Sequence, residues 1–511
     1  MTQLSNASTT GLVSKSRLIF LCLLIALSDF LIFKETLGLN LFLFAAALTL
    51  AVIMLSKRKW SITAKCLLIG VSAFGNLPLL EAVSPMSVSI GLSSVMCVAL
   101  ACAGLMPRRL MHLHVVLLRF ALVLPVPFAK AIHRHALSPR DGSFLRLMTQ
   151  SLVLWLLPLA LASVFLLLFA MANPLIEHVI REIDLALVWE FFDLWRVGLW
   201  LVVAVLGWAM FRPCLLRRAH LRRFANEKTH EAGKPLLTYA LLLRSLLVFN
   251  ALFAVQSILD VVYLWGGAAL PDDLSYAEYA HRGAYPLIVT ALLAAAFVLL
   301  TMRQDGPGNQ SRLLRGLVFA WIAQNILLCL SSLLRLELYV ETYSLTEMRV
   351  AAAVWMVLIA LGLALILLRI IFRYSNEWLV AVNIAALASV LYLCTVADIP
   401  AFIARFNVIH CREIDSNGTS LDFDYLASLG PSSIPAIDLF IEKVTSTNPP
   451  SEHLGGFAAK AERNLLIKRL NTRSRDWRGW TYRISRLESY LQAAEPIAMP
   501  QEKGKSGNGP F

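Results

Sequence analysis

Residues 350–372 read VAAAVWMVLIALGLALILLRIIF, with Arg369 the single charge in the run. At about 1.5 Å per residue such a helix is about 34 Å long, enough to cross a hydrocarbon core of about 30 Å. It is apolar on every face, which water does not tolerate on a surface helix. Comparable runs of about 17–23 residues lie outward from it in both directions. They are Leu18 to Phe33, Leu37 to Leu55, Cys66 to Val83, Val88 to Met106, Leu152 to Ala172, Val197 to Phe211, Ser245 to Leu264, Tyr285 to Met302, Leu317 to Leu334 and Leu379 to Ala397. The composition agrees: 511 residues, 58% hydrophobic, 15% charged and a mean hydropathy of +0.67, more apolar surface than one water-soluble core can hide. The expected fold is all-α, a polytopic transmembrane helix bundle of about eleven spans.

The loops set an orientation, because Lys and Arg close to a span stay on the cytoplasmic side. One set of connections carries Lys57, Arg58, Lys59 and Lys65, then Arg108 to Arg146, then Arg212 to Arg244, then Arg303, Arg312 and Arg315. The opposite set carries acids: Glu177, Glu182, Asp184, Glu190 and Asp193, then Asp272, Asp273 and Glu278, then Glu337, Glu341 and Glu347. An odd number of spans then puts the N-terminus in the cytoplasm and the C-terminal region outside. The net charge of +13 is accounted for by this bias, without a nucleic-acid partner. The basic loops can instead rest against anionic lipid headgroups.

Two segments do not read as spans. Val115 to Ala129 is short and carries Arg119, Pro125 and Pro127, so it is expected to lie in the interface. Glu177 to Trp195 reads as an amphipathic helix with Trp189 and Trp195 at headgroup level. The charged start and first apolar run lack a small-residue cleavage site, Asp29 and Phe30 standing there instead, so a retained span is expected. The cysteines include no CxxC pair, and His112/His114 and His133/His135 lack the further ligands a zinc site needs. No metal, cofactor or disulfide framework is expected.

After Asp398 the long apolar runs end. Residues 1–400 are expected to form the transmembrane domain, 401–495 a soluble extracytoplasmic helical region and 496–511 a disordered tail. Within the soluble region Ser420 is expected to cap a helix Leu421 to Leu429, followed by helices Ile434 to Val444, Ala458 to Leu470 and Tyr482 to Ala494.

Several longer motifs stand out: SYAEYAHRGAYPL (Ser275 to Leu287), ANPLIEHVI (Ala172 to Ile180), SLLVFNALFAVQSILDVVYLWGG (Ser245 to Gly267), LRLELYVETYSLTEMRVAAAVW (Leu334 to Trp355) and LDFDYLASLGPSSIPA (Leu421 to Ala436). Through them the chain resembles the bacterial membrane proteins known as domain of unknown function 4173, relatives of the 4153 group. The resemblance implies a bacterial inner membrane and a shared architecture; it carries no reaction. It also implies glycine where Ser344 stands, and hence a strained turn there.

Polar groups inside or at the ends of spans are expensive in hydrocarbon, which makes them the candidate functional residues. Toward the outer side these are Asp260, Glu278, Tyr279, His281, Arg282, Arg335, Tyr339, Glu341, Tyr343 and Arg349; within spans they are Asp29, Glu81, Gln256, Gln324, Asn325 and Asp398. They read either as an outward-facing polar vestibule or as ordinary span ends and interhelical glue. Gln324, Ser331 and Arg335 share one helix stripe, and Gln256, Asp260 and Tyr263 share another, so Asp260 and Arg335 are expected to pair. Tyr276 to Tyr285 is expected to form an ordered rim element gathering Glu278, His281 and Arg282. Three function classes follow: a non-enzymatic sensor, scaffold or assembly partner; a transporter; and a membrane-embedded enzyme acting on a lipid-linked substrate. The first is favoured because no catalytic constellation can be named from spacing.

Overall fold

The computed structural model describes residues 2–107, 109, 112–137, 158, 161–162, 193–213, 239–266, 293, 311–415, 418–447, 454–473 and 476–494. Among the described residues every regular element is helical. The helices are α1 (Thr2–Ile32), α2 (Leu39–Met54), α3 (Ile62–Glu81), α4 (Pro85–Cys102), α5 (Leu113–Val123), α6 (Pro125–Leu137), α7 (Leu194–Phe211) and α8 (Tyr239–Asp260), which continues as a π-turn Val261–Trp265. Then come α9 (Arg312–Tyr343), α10 (Glu347–Phe372), α11 (Asn376–Val396), α12 (Ile399–Ile409), α13 (Arg412–Asp415), α14 (Phe423–Ser428), α15 (Ile434–Thr447), α16 (Leu454–Asn471) and α17 (Tyr482–Ala493).

Seven helices among the described residues are long and apolar enough to cross a bilayer: α3, α4, α7, α8 with its π-turn, α9, α10 and α11. An eighth is reached if α5 and α6, bent by 42° at their break, act as one broken span. The break falls at Leu124 before Pro125, the ring that cannot donate to the helix ladder. α2 is apolar but only 16 residues long. The expected count of eleven is therefore not reached by the described residues, and almost all of the stretches at 152–172 and 285–302 lies outside them. So do most of Glu177 to Trp195, all of Tyr276 to Tyr285 and the tail at 496–511.

The chain divides into two compact units, residues 1–228 with 475–480, and residues 229–474 with 481–511. In the first, Leu24, Val52, Val95, Met96, Leu100, Phe120, Trp208 and Met210 form the apolar core. A neutral polar seam crosses it. Thr49 Oγ1 and Ser72 Oγ lie 2.7 Å apart, and Asn76 Nδ2 donates to Ser94 Oγ at 3.1 Å, each hydroxyl also bonding its own helix, as seams between apolar helices commonly do. A Cβ on Gly75 would strike Ser94, and one on Gly91 would strike the Asn76 amide, so α3 and α4 approach closely because these positions are glycine.

Among the described residues the second unit holds three apolar clusters, two large and a small one around Val340, Leu345 and Ile403. Leu242, Leu246, Val318, Trp321, Ile322 and Leu363 pack α8, α9, α10 and α11 together. The C-terminal helices close around Val408, Leu426, Ile437, Phe440, Ala459 and Leu466. Three of them are pinned by one polar cluster: Arg463 donates to Asp438, and Tyr490 OH donates to Asp438 Oδ2 at 3.1 Å. Burial, with the neighbouring Asp438 carboxylate, pushes the Tyr490 phenol up to about 12. The expected helix at Leu421 to Leu429 is shorter, and its cap is Asp422 rather than Ser420. The Asp422 carboxylate accepts from Tyr425 N at 2.9 Å, and an ionised acceptor at an N-cap is the stronger choice. Gly430, at φ +79°, ends that turn in a conformation only glycine adopts without strain.

Candidate functional site

The polar stripes of α8 and α9 face one another. Arg335 Nη2 donates to Asp260 Oδ1, and Gln256 Nε2 donates to the same oxygen at 3.0 Å. Asp260 is fully buried and Arg335 is 4% exposed, so this is the charge pair expected from the spacing, held out of water at the end of α8. A buried pair of this kind survives only with close geometry and supporting hydrogen bonds, which Gln256 supplies. Deeper in the seam, Asn250 Nδ2 donates to Leu317 O at 3.1 Å and Gln324 Nε2 to Asn250 O at 3.3 Å. Asn325 Nδ2 bonds back to Trp321 O at 2.8 Å within its own helix. The Oδ1 atoms of Asn250 and Asn325, Gln324 Oε1 and Ser257 Oγ are buried with no hydrogen-bond partner among the described residues.

α9 runs past the expected end at Leu334 to Tyr343, and this places Tyr339 and Tyr343 one turn apart, their rings 4.8 Å centre to centre. The continuation forms because Leu336 and Val340 have an apolar partner in Ile403 of α12. The chain then turns at Ser344, which sits at φ 64°, ψ 170°, backbone territory otherwise left to glycine. The strain that the resemblance implied is thus present. Four residues hold it. Arg349 Nη1 donates to Tyr343 O at 2.6 Å and to Ser344 O, while its guanidinium lies 4.5 Å from the Tyr339 ring centre. Asn407 of α12 clamps Leu345 from both sides, accepting from its N–H at 2.7 Å and donating to its carbonyl at 2.9 Å. Ser344 Oγ meets Thr419 Oγ1 at 2.9 Å, and Tyr425 OH accepts from Glu347 N at 3.0 Å. Burial holds the Tyr425 phenol above its ordinary range, in the neutral form.

The structure thus brings Asp260, Gln256 and Arg335 together in one cluster and Tyr339, Tyr343 and Arg349 in another. Glu337, Glu341 and Glu347 are exposed, a solvated rim. Glu278, Tyr279, His281 and Arg282 lie outside the described residues. Asp398, read from the sequence as an intramembrane acid, caps α12 through Ala401 N at 3.2 Å and accepts from Ser432 Oγ at 3.2 Å and Arg486 Nη2 at 3.1 Å, with Arg483 3.4 Å away. It anchors the C-terminal helices. Asp29 is held by a two-pronged pair, Arg196 Nε at 2.7 Å and Nη2 at 2.5 Å, with Trp200 Nε1 at 3.0 Å. Glu81 is the last residue of α3. Asn407 and Thr419 were not singled out in the sequence. Asn407 had a signal, a lone amide inside the apolar run of α12; Thr419 had none. Among the described residues no group of three or more His, Cys, Asp or Glu is placed to hold a metal ion, and Arg349 is committed to two carbonyls and a ring.

A sequence model of domain of unknown function 4153 (DUF4153) matches residues 18–440, well over half of the chain. This replaces the 4173 assignment with its relative: the chain belongs to the DUF4153 family. No curated protein and no solved structure matches it. With its long apolar helices it is a membrane protein of a family whose activity is unassigned.

Proposed function

We propose that this DUF4153 protein is a non-enzymatic component of the bacterial inner membrane, a scaffold, sensor or assembly partner that presents its C-terminal helices outside the cytoplasm. The observation that carries the reading is the clamp at Ser344. A strained turn persists only where surrounding contacts over-determine it. Here Arg349, Asn407, Thr419 and Tyr425 together fix the C-terminal helices to the ends of α9 and α10. Such rigid mounting suits a chain that transmits or displays, since a freely hinged domain would decouple from the spans. The orientation rests on the loop charges. Arg312 and Arg315 stand at one end of α9, and Arg335 lies about 35 Å along it from Arg312, near the far edge of a bilayer about 30 Å thick. A reporter fused after Met302 is expected to be cytoplasmic and one after Ala401 external; both on one side would overturn the topology. For the function, full-length Arg349→Gln/Asn407→Ala should reach the membrane at wild-type level yet fail to restore a deletion strain. Full restoration would sink the display reading.

Transport is the second reading, and one observation favours it. The orphaned acceptors on Asn250, Gln324 and Asn325 lie along a single interhelical seam, and a buried acceptor left unmade is costly unless water or solute visits it. Solute uptake by vesicles that is lost in Gln324→Leu, with the fold intact, would move the assignment to this class.

A further inference from the structure

At the loop end of the first unit, opposite the end where Asp29 pairs with Arg196, α1, α2, α4 and α7 line an open cavity of about 410 Å³. Its floor is apolar, with Val52, Ala99 and Met210 each at most 3% exposed. Its rim carries four cations, Arg17, Lys57, Arg58 and Arg212, and no acid is among its described lining residues. α2, α4 and α7 all end here, at Met54, Cys102 and Phe211, and each helix C-terminus contributes about −0.5 charge. Three such ends offset about 1.5 of the four positive charges, so about +2.5 remains on the described lining. The Nε of Arg17 is buried with no hydrogen-bond partner among the described residues. Arg58 lies with its guanidinium 4.4 Å over the Trp60 ring, a contact that orients the charge without neutralising it.

We propose that this cavity is a binding site for a phosphate-bearing anion, with the half-buried Arg17 as the inner ligand and the exposed Lys57, Arg58 and Arg212 at the mouth. Guanidinium groups suit phosphate oxygens because they offer paired donors in a fixed fork. The volume is large against the roughly 30 Å³ share of one water, so the site takes a substituted phosphate as well as the free ion. An anionic lipid headgroup and a soluble phosphate present the same chemistry, and the loop charges put this end of the unit at the anionic cytoplasmic leaflet.

The test uses the full-length chain in nanodiscs of phosphatidylcholine alone, of phosphatidylcholine with one-fifth phosphatidylglycerol, and of phosphatidylcholine with millimolar inorganic phosphate in the buffer. Wild type should melt about 3 °C or more higher with one of the two phosphate sources, in line with ligand linkage at saturation. Arg17→Gln/Arg212→Gln should lose most of that shift while melting normally in phosphatidylcholine. A response to the lipid alone identifies a headgroup site, and a response to phosphate alone identifies a soluble ligand; each supports the proposal. Should that variant not fold, Lys57→Gln/Arg58→Gln, changed only at exposed positions, should lose about half of the shift. No shift in wild type, or an equal shift in wild type and a folded variant, would overturn it, since the attraction would then belong to the basic loops at large.

Discussion

The two ends of the first unit treat their cations in opposite ways. At the end where α1 meets α2, Arg196 is bound by Asp29, Lys34 lies 3.7 Å from Asp193, and Arg478 is held between Glu35 and Asp476 at 2.6 Å each. Arg478 also donates to Phe30 O at 2.6 Å, and Leu39 N donates to Trp480 O at 2.8 Å. At the other end, about 18 Å along α1 by the spacing of Arg17 and Asp29, four cations share a cavity with no acid among its described lining. The same residue types are structural cement where a carboxylate meets them and an open demand for an anion where none does. Charge count alone does not separate the two; pairing does.

The second unit supplies the limiting case of pairing. Asp260 and Arg335 are nearly inaccessible, so Asp260→Asn or Arg335→Gln is expected to cost about 3–5 kcal/mol by leaving one buried charge alone. The double change should cost less than the sum, by about 0.5–3 kcal/mol in a thermal or denaturant series; strict additivity would mean that the pair carries nothing. Next in size is Gly479→Ala. A Cβ there would collide with Thr36, and a Cβ on Gly38 would fall 2.5 Å from the Gly479 and Trp480 backbone, so the change should lower stability by about 1–3 kcal/mol, the usual cost of overpacking. An unchanged melting temperature would show that residues 476–480 do not dock as described.

The comparison itself is sharpened by matching Asp29→Asn against Arg17→Gln. Asp29 should cost about 1 kcal/mol, the scale of a partly exposed ion pair with good geometry. Arg17 should cost nothing or stabilise slightly in the absence of anion, because it relieves like-charge crowding. Equal losses would erase the distinction between the ends. The smallest effect is in pH. The Arg478 guanidinium beside Asp476 holds its carboxyl below the usual carboxylate range, so the folded value lies under the unfolded value of about 4. That contribution is present above about pH 4 and is lost as pH falls through the lower folded value. Exchange of the Leu39 amide, corrected for its intrinsic rate, should accelerate there in wild type and show no such step in Asp476→Asn.

Span positions were readable where apolar length is its own evidence: α3, α4, α7, α8, α9, α10 and α11 all fall on stretches marked in the sequence. Helix ends were less so. α9 overran its apolar run because Leu336 and Val340 found Ile403, a partner about sixty residues away that no local pattern announces. The pairing of Asp260 with Arg335 was legible because both are costly alone and both lie on polar stripes. The strain at Ser344 was legible only through the resemblance; of its four supports Arg349 stood among the candidate residues and Asn407 had a local signal, but that they meet at this turn was not legible.

The sequence by itself determined the solvent of this protein, its helical class and which stripes of α8 and α9 must turn away from lipid. Periodicity and length are local quantities, and hydrocarbon penalises every exposed polar group regardless of what surrounds it. Tertiary structure alone decided which charge meets which. Asp29 finds Arg196, Asp398 finds Arg486, and Arg17 and Arg212 share a cavity with no acid among its described lining, because pairing depends on distances between helices far apart in the chain. The sequence holds the inventory of charges, and only the packing assigns their partners.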